Sequence, residues 1–129
     1  MWLALGALSG FLAVALGAFG AHALKDRLTP DLLTIYQTGA HYHLAHALAL
    51  SLVGIARRTK PATALSVAGW AFLIGTVIFA GSLYALAITG IRQFGAITPI
   101  GGVAFMIGWI ALAIDGFSRR STQPEQPHA

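Results

Sequence analysis

Residues 2–24 read WLALGALSGFLAVALGAFGAHAL, and this uncharged run decides the fold class. A helix of that length exceeds the roughly 30 Å hydrocarbon core of a bilayer at 1.5 Å per residue. Ala21-His22-Ala23 has the small-x-small form of a signal-peptide cleavage site. No Lys or Arg precedes the run, however, and it is longer than the usual ~7–15 apolar residues of a signal peptide. We therefore expect an uncleaved first transmembrane helix.

Three more apolar helices are predicted after this run. Thr29-Pro30-Asp31 is typical of a helix start, with Thr as the cap, Pro at the first position and a carboxylate at the positive end of the helix dipole. Thr98-Pro99 repeats the cap-plus-proline start, and Gly90 is a typical helix stop. The four predicted helices cover residues 2–24, 30–56, 62–90 and 99–117.

The composition agrees with a membrane protein. Of the 129 residues, 57% are hydrophobic and only 9% are charged, against about 25% charged in soluble domains. The eight Lys and Arg residues lie in small groups at the ends of apolar runs, which indicates topogenic charge and no nucleic-acid surface. The chain has no Cys, so disulfides and thiolate metal sites are excluded. We predict an all-α, four-transmembrane-helix bundle over residues 1–117 and a disordered polar tail over 118–129.

The basic residues also predict an orientation. Four spans place the N-terminus, the loop after the second helix and the tail on one side, which carries five Lys and Arg residues. The two other loops carry three. By the positive-inside rule, both termini are predicted to be cytoplasmic.

Histidines provide the main polar feature of the apolar runs. On a helix, Tyr36, His43 and His46 fall on one face, whereas His41 points elsewhere. His22 lies near the end of the first helix, on the same membrane side as the start of the second. A metal or haem site would draw on His22, His43 and His46, with Asp31 or Tyr36 as an outer partner. The alternative is that neutral imidazoles form hydrogen bonds between helices and only stabilise the bundle.

The other polar residues give no indication of a catalytic site. Asp115 is expected to pair with Arg119 one helical turn later, in preference to a proton-relay role. Tyr84 and Trp109 are interpreted as packing or interfacial aromatics. The isolated serines lack a nucleophile setting and the glycines form no phosphate loop, so we predict that the chain is not an enzyme.

Several short motifs resemble one family. They are Gly17-Ala-Phe-Gly-Ala-His22-Ala-Leu24, Tyr36-Gln-Thr-Gly39, Tyr42 with His46, Gly81-Ser-Leu-Tyr84, Thr98-Pro-Ile-Gly-Gly102 and Gly108-Trp109. Together they resemble the bacterial domain of unknown function 423 family, which is similar to a small vertebrate mitochondrial transmembrane protein. The resemblance covers all four spans and implies a four-helix inner-membrane protein with no established activity. It also implies that His22 and His46 stand at motif positions, whereas His41 and His43 do not.

The expected function is that of a structural or accessory helix-bundle subunit in the bacterial inner membrane. Its expected partners are the lipid bilayer and either further copies of the chain or a larger membrane complex. A haem-, metal- or quinone-binding protein that uses His22 and His46 is the first alternative. A small transporter or channel subunit is the second, although the spans carry few charges.

Overall fold

The computed structural model describes residues 1–59 and 62–120 of the chain, without the side chains of the last two. These residues form four helices joined by short connections. The helices are α1 (Trp2–Phe19), which continues as a π-helical turn (Gly20–Leu24), α2 (Pro30–Thr59), α3 (Thr63–Thr89) and α4 (Gln93–Arg120). The predicted all-α helix bundle is therefore confirmed.

Three of the four helices are long and apolar enough to cross a membrane. They are Trp2–Leu24, Thr63–Thr89 and Gln93–Ser118. The remaining helix, α2, is less apolar because it carries Asp31, Gln37 and three histidines. Its 30 residues give a length of about 45 Å, which is sufficient for a crossing, and it packs against both α1 and α3.

Two predicted helix boundaries are confirmed in atomic detail. Thr29 caps α2, because its Oγ1 accepts a hydrogen bond from the Leu32 amide at 3.4 Å. Gly90 ends α3 in the left-handed conformation at φ 72°, and its amide donates to the Leu86 carbonyl at 2.8 Å. Glycine is favoured there because a Cβ is strained at positive φ.

The predicted start of the fourth helix is wrong. α4 begins at Gln93, and Pro99 lies inside it. Thr98 is consequently no cap: its Oγ1 lies 2.7 Å from Ser82 Oγ on α3, and it also donates to the Phe94 carbonyl at 3.5 Å. An internal proline is tolerated in membrane helices where hydroxyl groups and neighbouring helices replace the lost backbone bonding.

Glycines set the close approach of neighbouring helices. A Cβ at Gly6 would collide with Ser51, and one at Gly54 would collide with Leu3, so α1 and α2 are antiparallel and nearly in backbone contact. On the other side of the bundle, Gly101 lies against Phe79 and Gly108 against Phe72. Such small residues allow the van der Waals packing that holds helices together in lipid.

The C-terminal end differs from the prediction in its length. α4 continues to Arg120 rather than ending at residue 117, so the first residues of the predicted tail are helical. The remainder of the tail, residues 121–129, lies outside the described residues, as do Lys60 and Pro61. Asp115 is buried near the end of α4, whereas the side chain of Arg119, its predicted partner, lies outside the described part.

Candidate functional site

His46 lies in an aromatic cluster between α2 and α4. Its side chain is 5% exposed, and its ring stacks on Phe105 with 3.4 Å between centroids. Phe72 of α3 and Trp109 of α4 contact the same imidazole at centroid distances of 5.7 and 6.0 Å. This histidine therefore connects α2 to the third and fourth helices.

The partners of His46 determine its tautomer. Nδ1 lies 2.8 Å from the Tyr42 carbonyl, which can only accept a hydrogen bond. Nε2 lies 3.2 Å from the indole Nε1 of Trp109, which can only donate. The imidazole must then be neutral, with its proton on Nδ1 and a lone pair on Nε2. Both ring nitrogens are engaged with protein groups, so a metal could bind Nε2 only by displacing Trp109.

His43 lies three residues before His46 on α2 and has a different kind of environment. Its Nδ1 is 3.2 Å from the Tyr84 hydroxyl of α3, and its Nε2 is 3.1 Å from the Ser9 hydroxyl of α1. The side chain is 7% exposed. Because each hydroxyl can donate or accept, either neutral tautomer satisfies both contacts. His43 therefore connects three helices without a fixed direction of hydrogen bonding.

A family model described as "Protein of unknown function (DUF423)" matches residues 16–102. The chain belongs to this family. The matched segment begins in α1 and ends in α4, so it contains His22, Tyr36, His43 and His46 but neither Ser9 nor Trp109. The family resemblance inferred from the sequence motifs is confirmed.

Named relatives cover most of the chain. The UPF0382 membrane protein YwdK of Bacillus subtilis (strain 168) is 44% identical over 115 residues, which are 88% of this chain and 94% of the relative. A UPF0382 membrane protein of Haemophilus influenzae is 46% identical over 121 residues, which are 93% and 96% of the two chains. No solved structure gives a significant match. These relatives are named as membrane proteins, in agreement with the apolar helices of the structure.

The contacts of Tyr36 give a structural reason for two of the motifs that resemble the family, Gly17–Leu24 and Tyr36–Gly39. Its side chain is 1% exposed, and its hydroxyl donates to the Leu16 carbonyl at 2.8 Å, just before α1 changes to a π-helical turn. A Cβ at Gly20 would collide with the Tyr36 ring. Gly39 provides space on the other side, since its Cβ would lie 3.2 Å from Tyr84. The Gly17–Leu24 and Tyr36–Gly39 motifs therefore form one interlocking contact.

The structure does not bring His22 and His46 together. Gly6 lies against Ser51 and Gly10 against Ala47, and this register places His46 level with about residue 11 of α1. His22 is exposed in the π-helical turn, about 16 Å further along the helix axis. The polar contact between the first two helices is made instead by Tyr36 and His43. Binding of a cofactor by His22 and His46 stays a prediction, and it would require the helices to move.

No group of three or more His, Cys, Asp or Glu residues in the described part of the chain is arranged to hold a metal ion. His41 is exposed, as its helical phase predicted. His43 and His46 were expected to share a face, yet they contact different helices, because α2 lies between α1 and α3 and also reaches α4.

Three polar partners of the histidines were missed from the sequence. The sequence indicates no role for Ser9, and it indicates only packing or interfacial roles for Tyr84 and Trp109. The one signal for Ser9 is that it is the only hydroxyl in the uncharged run of residues 2–24. Sequence spacing within one helix carries no information on which residue of another helix lies opposite, so the pairing of these groups was not predictable.

Proposed function

We propose that the chain is a non-catalytic helix-bundle subunit of the bacterial inner membrane, which crosses the bilayer four times with both termini in the cytoplasm. The observation that carries this proposal is the pairing of His46. Its imidazole has a fixed neutral tautomer and both ring nitrogens bonded to protein groups. Such an imidazole stabilises the bundle and is not poised to transfer a proton or bind an ion.

The rest of the buried polar surface supports the same function. Among the described residues, every buried side-chain nitrogen or oxygen has a hydrogen-bond partner. Ser51, Thr76 and Ser82 donate to backbone carbonyls one helical turn earlier. The polar groups of the spans therefore contribute to cohesion of the helices.

The outer surface supports assembly with other membrane helices. Phe11 of α1 and Ile110 of α4 are 69% and 61% exposed, and both lie on helices that contact mainly one neighbour. An accessory subunit would use such faces to pack against a partner embedded in the same bilayer.

Site-specific photo-crosslinking tests this function. A benzophenone amino acid replaces Phe11 in one variant and Ile110 in another, with the chain expressed at its native level. We expect at least one variant to give a discrete crosslink to a second membrane protein, and native mass spectrometry in a gentle detergent should detect the same complex. Crosslinks only between copies of this chain, or none, from both positions would contradict the accessory role.

Metal analysis and an absorption spectrum test the cofactor alternative. The purified chain is compared with the His22→Ala, His46→Ala double variant. Because the two imidazoles are about 16 Å apart along the helix axis, we expect equal metal content and no visible absorption band in both proteins. A band or a bound metal that the double variant loses would support the cofactor site instead.

A further inference from the structure

A groove of about 370 Å³ runs between α1 and α3, with α2 as its floor. Its volume lies within the range of about 300–1,000 Å³ that is typical of ligand sites. Its walls are almost entirely apolar, with Leu8 and Leu12 on one side and Val77 on the other, and these three side chains are exposed on the lipid-facing surface. Gly81 leaves part of the wall empty, since a Cβ there would meet no atom within 4 Å.

Four polar residues line this apolar groove, and three of them are hydrogen-bonded to one another. Ser9, His43 and Tyr84 all line it, and they are the three residues of the hydrogen-bonded chain that joins α1, α2 and α3. The fourth polar lining residue, Thr76, already donates to the Phe72 carbonyl at 2.8 Å. A molecule that enters the groove therefore contacts the hydrogen-bonded chain Ser9–His43–Tyr84.

The hydrogen-bonded chain Ser9–His43–Tyr84 always has one hydroxyl hydrogen for which it contains no acceptor. A neutral imidazole has one N–H donor and one acceptor nitrogen. If Nε2 carries the proton, it donates to Ser9 and Nδ1 accepts from Tyr84, so the Ser9 hydrogen is left over. If Nδ1 carries the proton, it donates to Tyr84, and the Tyr84 hydrogen is left over. In the described structure neither hydroxyl has another hydrogen-bond partner, and an unpaired donor next to hydrocarbon is unfavourable.

The position of the groove restricts which molecules can accept the unused hydroxyl hydrogen of Ser9 or Tyr84. Thr76 is the middle residue of α3, and His43 lies near the middle of α2, so the groove is close to the centre of the bilayer. The ester carbonyls of phospholipids lie at the edge of the roughly 30 Å hydrocarbon core, and their acyl chains contain no acceptor. The matching molecule is lipid-soluble throughout, carries a carbonyl oxygen and can enter the membrane interior.

We propose that the groove between α1 and α3 binds a lipid-soluble quinone, whose ring carbonyl accepts the unused hydroxyl hydrogen of the Ser9–His43–Tyr84 chain. The isoprenoid tail lies against Leu8, Leu12 and Val77. Because the imidazole can change tautomer, the hydrogen is presented from Ser9 or from Tyr84 according to where the carbonyl lies. This site uses His43 rather than the motif histidines His22 and His46, and it does not depend on assembly with another protein.

Equilibrium binding to the full chain in phosphatidylcholine nanodiscs tests the site. The probe is a tritiated benzoquinone with a short isoprenoid tail, and squalene serves as a competitor that has no carbonyl. The Ser9→Ala, Tyr84→Phe double variant removes both hydroxyls. Its matched control is Ser51→Ala, Tyr36→Phe, which removes two hydroxyls that donate to backbone carbonyls and belong to residues that do not line the groove. Gly81→Leu fills the groove at the position where a side chain meets no atom.

We expect saturable binding of the quinone to the unmodified chain and to the control double variant. The Ser9→Ala, Tyr84→Phe variant should bind about fivefold more weakly, which corresponds to the loss of one neutral hydrogen bond. Gly81→Leu should lose saturable binding, and squalene should compete poorly. Absence of saturable binding to the unmodified chain would overturn the proposal, and so would unchanged affinity in Gly81→Leu. Unchanged affinity in the Ser9→Ala, Tyr84→Phe variant or equal competition by squalene would each show that no hydroxyl recognises the carbonyl, and would overturn it as well.

Discussion

His43 and His46 are one helical turn apart on α2, both are buried, and both have two hydrogen-bonded ring nitrogens. They differ in the chemistry of those partners. His46 lies between a group that only accepts and a group that only donates, inside an aromatic cluster. His43 lies between two hydroxyls that can do either, next to an open groove. The type of partner, more than burial, separates a structural imidazole from one that can respond to a ligand.

The largest expected contrast is in stability after truncation of each histidine. His46→Ala should lower the free energy of unfolding by about 2–4 kcal/mol, because it leaves a cavity between Phe105 and Trp109 that the rigid cluster cannot close. His43→Ala should cost only about 1 kcal/mol, because lipid chains in the groove can occupy the space. Unfolding in mixed detergent micelles measures both, with exposed His41→Ala as the control. Equal losses for His43→Ala and His46→Ala would contradict the distinction.

Two glycines of α3 provide a second contrast, because they lie on the two sides of the same helix. A Cβ at Gly75 would lie 2.5 Å from the Phe105 ring, so Gly75→Ala should destabilise the bundle by about 1–3 kcal/mol. Gly81→Ala should be neutral or stabilise by up to about 1 kcal/mol, since its Cβ enters the open groove and alanine favours the helix. The same unfolding assay compares the two variants. A destabilised Gly81→Ala would show that the groove is closed in the membrane.

The smallest expected contrast is in stability after removal of one hydrogen-bond donor next to each histidine. Trp109→Phe removes the donor to His46 and reduces a ring that packs edge-on against Phe72, so we expect a loss of about 1–2 kcal/mol. Tyr84→Phe retains the ring that packs against Tyr36 and should cost about 0.5–1 kcal/mol. Tyr36→Phe is the matched control for removal of a buried hydroxyl. A larger loss in Tyr84→Phe than in Trp109→Phe would reverse the assignment of the structural site.

The helices were predictable because their signals are local. The uncharged run before Lys25 is long enough to span, Thr29 and Pro30 start a helix by cap chemistry, and Gly90 ends one by its left-handed backbone. Pro99 misled the prediction because a proline that starts a helix and one inside a membrane helix look the same in sequence. In the structure, the Thr98 hydroxyl bonds across to Ser82.

The candidate sites were predictable only in part, because they depend on contacts between helices. The periodicity of α2 correctly placed His43 and His46 on the buried side and His41 outside. It could not show that Ser9 and Tyr84 meet one imidazole while Trp109 meets the other. The depth of His22 relative to His46 follows from the register of α1 and α2, which is fixed by the close contacts of Gly6 and Gly54.

The most direct test of the central distinction is ¹⁵N NMR of the ring nitrogens in the histidine-labelled chain. We expect His46 to be a single neutral species with its proton on Nδ1, and Trp109→Phe to alter its Nε2 signal. We expect the His43 signals to report both neutral tautomers and to shift when the short-tailed benzoquinone is added, whereas the His46 signals should not shift. A proton on Nε2 of His46, or a response to the quinone at His46 and none at His43, would show that His46 is not the structural imidazole and His43 not the responsive one.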